Sequence, residues 1–349
     1  MPDSMKAAVL YAAGDVRVES LPSPTLDPGM VLLHIRRAGI CGSDLHYYEL
    51  GHCGPSIVDL PFVLGHEFSA EVADVGDGVT NVKIGQRVTA NPARACGFCD
   101  FCKAGRGNLC LKTVMLGSAG SKPPTNGAMA EYVTVRADQC HVLPDEINDE
   151  AGAMIEPLAV ALHAIKRAGG VSGKRVLVLG AGTIGRLIAA AAKAHGAVPI
   201  AITEVVPERR QKAEDSGIAY VLDPEGKHFL EEVLEMTGLG FDTVFEASAS
   251  PRALRQAFDI VRPGGTIVQI GTQPSEDMPL PAMRIMRKEI SYIGSQRYGD
   301  VFDEAIRLVS SGRLNLRPLM SDEFRADEAA KAFRVAADRA HSLKVMLQL

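Results

Sequence analysis

Arg175-Val176-Leu177-Val178-Leu179-Gly180-Ala181-Gly182-Thr183-Ile184-Gly185 is the stretch that decides the fold. A short apolar run reads as a buried strand and breaks into an uninterrupted G-x-G-x-x-G. A helical pattern follows from Ile184 to Ala194 and stops at Gly196. In such a strand–turn–helix each glycine has a physical task. Gly180 permits the tight turn, Gly182 lets the backbone approach a pyrophosphate, and Gly185 lets the helix pack closely on its strand. The N–H groups at the helix start, around Thr183 and Ile184, offer donors and a partial positive charge to an anion. A packing turn without a ligand is the blander reading, and the context weighs against it.

A second strand, Pro199 to Thr203, ends at Glu204. An acid there can accept hydrogen bonds from adenosine ribose hydroxyls and repels a 2′-phosphate, which favours NAD over NADP. Arg209 and Arg210 follow closely, and either could meet a 2′-phosphate, so NADP stays open.

Outward from this unit the alternation continues. A helix is expected from about Glu208 to Ser216, with strands at Asp242-Thr243-Val244-Phe245 and Thr266-Ile267-Val268-Gln269-Ile270. Upstream, Pro157 opens a helix that runs from Leu158 to Ala168 and ends at Gly169-Gly170. Strands alternating with helices imply a doubly wound parallel sheet, so the fold class is α/β. The preceding part has a different texture. It is rich in Gly and Pro, with short β-type runs such as Val31-Leu32-Leu33-His34-Ile35 and Ala70-Glu71-Val72-Ala73-Asp74-Val75. The chain of 349 residues is longer than one core usually fills. The expected division is a mainly β domain over 1–155, a dinucleotide-binding domain over 156–290, and a return to the first domain over 291–349 with a helix from Val301 to Ser311.

Composition narrows the function classes. Hydrophobic residues make up 46% and charged residues 23%, ordinary for a globular protein. The net charge is −5 with no basic block, which argues against a nucleic-acid or membrane-surface partner. The Met1-Pro2-Asp3-Ser4-Met5 start lacks a signal-peptide pattern, and no apolar run is long enough to span a bilayer. A cytoplasmic protein is expected, and its seven cysteines are then more readily ligands or thiols than disulfides.

Four of those cysteines, Cys96, Cys99, Cys102 and Cys110, form C-x2-C-x2-C-x7-C, with turn-forming Gly97, Gly105 and Gly107 in the segment. Four thiolates on one short loop close a tetrahedral shell around zinc and leave no open position, so this site is structural. Lys103, Arg106 and Lys112 are near in sequence to offset its negative charge. A second group is dispersed: Cys41 in Gly39-Ile40-Cys41-Gly42-Ser43-Asp44-Leu45-His46, and His66 with Glu67 in Gly65-His66-Glu67. A thiolate, a neutral imidazole and a carboxylate would cancel the charge of one divalent ion and leave a position open. Taken alone, His66 beside Glu67 is more often a surface turn or a core pair than a metal site. Cys53 and Cys140 read as packing residues, and His163 and His195 as helix-face or core histidines.

Together these motifs resemble the zinc-containing medium-chain dehydrogenase/reductase family, and within it the sorbitol/xylitol dehydrogenase-like branch. The resemblance spans the chain: Cys41-Gly42-Ser43-Asp44-Leu45-His46-Tyr47-Tyr48, Gly65-His66-Glu67, the four-cysteine lobe at about 93–113, Glu156-Pro157-Leu158, the glycine turn and Arg297-Tyr298. It implies a GroES-like catalytic domain split around a Rossmann domain, with the active site in the cleft between them. It also implies a catalytic zinc held by Cys41, His66 and Glu67, with Glu156 as a further ligand or a nearby base. Ser43 and His46 match proton-relay positions, Asp44 an orienter of the ligand histidine, and Tyr47 and Arg297 positions that line a polyol pocket. The implied reaction is NAD-linked oxidation of a secondary alcohol on a polyol, the proton leaving through Ser43 or towards Glu156. A homo-oligomer, dimer or tetramer, is implied as well, with Ile290-Ser291-Tyr292-Ile293-Gly294 as a strand able to pair across it.

One segment departs from sorbitol dehydrogenases. Met115 to Gly127 is longer, and its Gly117-Ser118-Ala119 stretch looks more like L-idonate 5-dehydrogenases. Lys122 within it could pair with a sugar-acid carboxylate or simply be an exposed loop lysine. A sugar acid or 2,3-butanediol therefore stands as the alternative substrate. Two other classes weigh less. Zinc-free quinone or enoyl reductases of the same superfamily lack the Cys41, His66 and Glu67 set. A non-enzymatic role on a borrowed fold would be signalled by a lost ligand or glycine, and none is lost.

Overall fold

A strand buried on both faces over most of its length anchors the first unit. In Met30–Gly39, Val31, Leu32, Leu33, Ile35 and Ala38 are buried, while His34, Arg36 and Arg37 are partly exposed. In the computed structural model, which describes residues 2–121, 124–274 and 277–349, this strand is central to a mixed sheet. One neighbour is Glu67–Val75, antiparallel, which leads on to Arg87–Ala90 and Cys140–Val142. On the other side Tyr132–Arg136 covers its first half and Lys344–Gln348 its last residues, both antiparallel. Met320–Arg325 then pairs parallel with Lys344–Gln348. A smaller sheet of Asp15–Pro22, Ser4–Ala12 and Phe62–Val63 shares the same core, which includes Leu10, Leu64, Phe68, Met129 and Phe333.

The second unit follows the expected α/β logic. Its parallel strands run in the spatial order Tyr220–Leu222, Ile200–Thr203, Val176–Leu179, Phe241–Glu246, Val261–Gln269, Ser291–Gly294. The first strand in sequence lies inside, and the order reverses beside it, the arrangement that opens a crevice at the strand ends. Val176, Leu177, Val178 and Leu179 are all fully buried, as a strand covered by helices on both faces requires. The helices Thr183–Ala194 and Pro207–Asp215 fall close to the expected spans.

Two compact units result: Met1–Glu156 with Phe302–Leu349, and Pro157–Val301. The boundary expected at 290 falls before the strand Ser291–Gly294, whose register against Thr266 to Gln269 makes it part of the parallel sheet. The expected return helix is found at Phe302–Ser310. No helix among the described residues is long and apolar enough to cross a membrane.

Candidate active site

The glycine turn is shaped as its sequence requires. Gly180 has φ 97°, a left-handed conformation that disfavours a side chain, and a Cβ there would stand 2.9 Å from Ser248. A Cβ at Gly185 would fall on the Gly180 carbonyl oxygen, so only glycine lets the helix approach this closely. Gly182 is the residue before the helix Thr183–Ala194, leaving the N–H groups of Thr183 and Ile184 at its open end. Glu204 is buried at the end of Ile200–Thr203. Its carboxylate accepts from Ala181 N at 3.2 Å, Val205 N at 2.9 Å and Val206 N at 3.2 Å. Arg209 Nε lies 3.2 Å from the same carboxylate. Arg210 instead bonds the carbonyls of Glu204 and Val205 and pairs with Asp223 at 3.2 Å. Sequence reading missed Glu246, a fully buried acid at the end of Phe241–Glu246. It accepts from Ser248 N and Oγ, Gln269 Nε2 and Gln273 Nε2, tying the ends of two strands to the loop beyond.

The four-cysteine lobe brings its sulfurs together around the short helix Asp100–Lys103 and the turn Gly107–Leu109. One sulfur from each of Cys96, Cys99, Cys102 and Cys110 lies within 4.8 Å of the others, with Cys99 to Cys102 at 3.4 Å and Cys96 to Cys102 at 3.9 Å. Those spacings are far beyond a disulfide bond, and all seven cysteines are free. Burial alone would raise the Cys110 thiol. The N–H groups of Cys96 and Lys112, aimed at its sulfur at 3.2 and 3.3 Å, bring it down to about 6. A closed S4 group with backbone donors around it fits zinc. Lys112 places its ammonium over the Phe98 ring at 5.0 Å.

The second cluster is assembled by the first unit alone. Cys41 sits at the junction between Met30–Gly39 and the helix Gly42–Leu50. Asp44, three residues on and fully buried, accepts from Cys41 N at 2.9 Å and, through its other oxygen, from Gly65 N at 3.3 Å. That second oxygen is 3.7 Å from His66 Nδ1. Asp44 thus ties the Cys41 segment to the Gly65-His66 segment. Glu67 opens the strand Glu67–Val75, beside His66, and both are buried. One donor atom each of Cys41, His66 and Glu67 lies within 4.8 Å of the others.

Burial by itself would lower the His66 pKa, but the negative charges of Asp44, Cys41 and Glu156 outweigh it and hold the ring well above its ordinary value. Burial pushes the Asp44 carboxyl up, against the pull of His66 and of the two N–H groups it accepts from. His66 Nδ1 is buried and has no hydrogen-bond partner among the described residues. An anionic pocket that strongly favours positive charge, with thiolate, imidazole and carboxylate converging, fits one divalent zinc. Glu156, buried in the first turn of the helix Ile155–Arg167, is near enough for its charge to act on His66 but lies outside the three-residue cluster.

Ser43 and His46 lie one helical turn apart on Gly42–Leu50, both half-buried. Burial lowers the His46 pKa, and its Nδ1 is 3.7 Å from Cys53 Sγ. Tyr47 is buried, and its hydroxyl accepts from Ala119 N at 3.2 Å. The loop it holds lies on the Gly65-His66-Glu67 segment, because a Cβ at Gly117 would fall on the Gly65 carbonyl. Lys122 lies outside the described residues. Arg297 belongs to the second unit, half-buried and with φ 52°.

One residue in the pocket carried no motif. Lys344 Nζ, fully enclosed, donates to Glu67 Oε2 at 2.5 Å and to the Ile40 carbonyl at 3.0 Å. Burial opposes its charge, yet Glu67, Cys41 and Asp44 hold its pKa above the ordinary lysine value. The available signal was a lysine inside the apolar run Leu343-Lys344-Val345-Met346-Leu347.

Comparison with known proteins agrees with these features. Residues 27–145 match the alcohol dehydrogenase GroES-like domain, and residues 183–311 match the zinc-binding dehydrogenase domain. The chain is 35% identical to sorbitol dehydrogenase of Bacillus subtilis (strain 168) over 349 residues, covering 99% of this chain and 98% of the relative. It is 36% identical to sorbitol dehydrogenase 1 of Saccharomyces cerevisiae, covering 95% and 94%. The crystal structure of L-idonate 5-dehydrogenase from Escherichia coli superposes with a TM-score of 0.92 at 32% identity, covering 99% of this chain and 98% of that one. With a GroES-like unit, a doubly wound Rossmann unit and both cysteine-bearing clusters in place, the chain belongs to the zinc-containing medium-chain dehydrogenase/reductase family, in its sorbitol/xylitol dehydrogenase-like branch.

Proposed function

We propose that the protein oxidises a secondary alcohol of a polyol such as sorbitol or xylitol to the ketose, with NAD as hydride acceptor. The observation that carries this reading is the convergence of Cys41, His66 and Glu67 in a buried anionic pocket, with Ser43 and His46 on the adjoining helix. The relatives named sorbitol dehydrogenase support the choice of substrate class.

Bound zinc would supply the Lewis acidity that makes a secondary hydroxyl acidic near neutral pH, and bound NAD the acceptor for the hydride. The protein's own residues do the rest. Cys41, His66 and Glu67 would hold the ion, with an Asp44 carboxylate oxygen 3.7 Å from His66 Nδ1. Ser43 Oγ takes the hydroxyl proton and passes its own towards His46, while Glu156 offers a second acceptor for that proton. As the O–H bond releases its proton, the carbinol C–H bond releases its hydrogen with the electron pair, and the carbon becomes a carbonyl. The turn at Gly180, Gly182 and Gly185 and the N–H groups of Thr183 and Ile184 receive the dinucleotide phosphates, and Glu204 the adenosine ribose. Tyr47 shapes the pocket through the loop it holds. The four-cysteine lobe would hold a structural zinc.

The same reading makes the enzyme a cytoplasmic homo-oligomer. Free thiols suit a reducing compartment, and among the described residues Ser291–Gly294 is the edge strand of its sheet. A second reading, oxidation of a sugar acid, is favoured by the Gly117-Ser118-Ala119 loop and by the likeness to L-idonate 5-dehydrogenase. Initial rates of NAD reduction with sorbitol, xylitol, galactitol, L-idonate and 2,3-butanediol, before and after chelation, test both. Chelator-sensitive turnover concentrated on a polyol supports the first. A preference for L-idonate moves the substrate to sugar acids, and no turnover on the panel rejects both.

A further inference from the structure

Lys344 begins the strand Lys344–Gln348, which lies between Met30–Gly39 and Met320–Arg325. An ammonium buried there is costly unless its bonds are well made, and a methionine would fill the same stem without that cost. Both of its bonds lead to the metal cluster. One holds Glu67 Oε2 at 2.5 Å, and the other holds the Ile40 carbonyl, whose carbon is joined to the Cys41 nitrogen, at 3.0 Å. The same Oε2 is confined from the other side, since a Cβ at Gly39 would fall on it and stand 3.4 Å from Lys344 Cδ. A carboxylate has two oxygens, and here one is committed before any metal arrives.

We propose that Lys344 is a positioning residue that reserves Oε2 of Glu67, so that Glu67 presents a single oxygen to zinc and an adjacent coordination position is kept for the substrate. This rests on the reading of Cys41, His66 and Glu67 as the catalytic metal site. Without the lysine, both oxygens are free to turn to the ion and occupy the position the substrate needs. A buried ion pair that merely ties the last strand to the sheet would stabilise the fold and leave the metal's coordination unchanged.

The experiment uses the full chain as wild type, Lys344→Met and Lys344→Arg. It measures zinc per chain, the visible absorption of the catalytic site after exchange to cobalt, and kcat/KM on the best polyol. In Lys344→Met we expect zinc to be retained and the cobalt absorption to weaken, as an added ligand oxygen requires. We also expect kcat/KM to fall about ten- to hundredfold, and Lys344→Arg to recover the spectrum and most of the activity. An unchanged cobalt spectrum in Lys344→Met, with only a lower melting temperature, overturns the proposal. Should Lys344→Met give no cooperative melt, Gly39→Ala displaces the same oxygen with the ammonium in place. The same spectral change is then expected, and a wild-type spectrum overturns the proposal. A wild-type protein that binds zinc only in its four-cysteine lobe overturns the metal-site reading itself, and this inference with it.

Discussion

Arg209 Nε stands 3.2 Å from the Glu204 carboxylate, which also gathers the N–H groups of Ala181, Val205 and Val206. The acid that would meet the ribose therefore also braces the glycine turn, and its charge is partly offset. Replacing Glu204 by Gln should lower kcat/KM for NAD by about ten- to hundredfold, the scale of a lost charged hydrogen bond. With Arg209 released to meet a 2′-phosphate, NADP should lose much less. Paired kinetics with the two cofactors measure this. An equal loss with both would mean that Glu204 acts only as a brace.

Tyr47→Phe removes the acceptor for Ala119 N and leaves that N–H buried. A stability loss of about 1–3 kcal/mol is expected in denaturant unfolding, with a modest rise in KM as the Gly117–Ser121 loop loosens. If the hydroxyl instead touches substrate, kcat/KM would fall steeply while the unfolding midpoint stayed in place.

In the second unit, Asp242 accepts from Arg175 and Arg262, and those guanidinium bonds hold its carboxyl well below the usual range against the effect of burial. The folded value is depressed, so its stabilisation is fully present above the unfolded value of about 3.9 and fades as pH falls towards the folded one. Asp242→Asn should cost about 1–3 kcal/mol. The gap from wild type should be flat between about pH 8 and 5 and shrink below about pH 4. Urea unfolding of the isolated mutant and wild type across that range gives the comparison, and a gap that widens at low pH would contradict the assignment.

Cys110 receives two backbone N–H groups as well as facing three other sulfurs. Cys110→Ala should reduce bound zinc from about two to about one per chain and lower the melting temperature. The remaining zinc should still support turnover at low temperature, since a closed shell has no substrate position. Metal analysis alongside activity decides this: full activity loss with one zinc retained would give the lobe a chemical role.

The parts legible in the sequence were those encoded by neighbours along the chain. The turn from Gly180 to Gly185 and the Cys96–Cys110 spacing each specify their geometry within one segment. Cys41, His66 and Glu67 needed the fold, because two strands and a helix junction bring them together. The strand Ser291–Gly294 read as an extended segment, but its parallel partner Val261–Gln269 is a choice that periodicity does not encode. Tyr47 read as a pocket residue, and only the packing of residues 116–121 gives its hydroxyl a backbone partner. Lys344 was the least legible, since it is separated from Glu67 by most of the chain and marked only by a charge in an apolar run.

Lys344–Gln348 joins Met320–Arg325 to Met30–Gly39, pairing Met346 with Gly39, Leu347 with Ala38 and Gln348 with Arg37. A ribosome delivers residues 157–301 between the two halves of the first unit. Until Lys344–Gln348 is made, residues 37–39 are paired on one side alone, with Glu67 to Ser69, and Glu67 is without its lysine. The inserted unit has all of its described strands in one continuous stretch. The pocket around Cys41, His66 and Glu67 is therefore completed from the far end of the chain, and a product truncated before residue 344 would keep these three side chains without the Lys344 bonds to Glu67 and the Ile40 carbonyl.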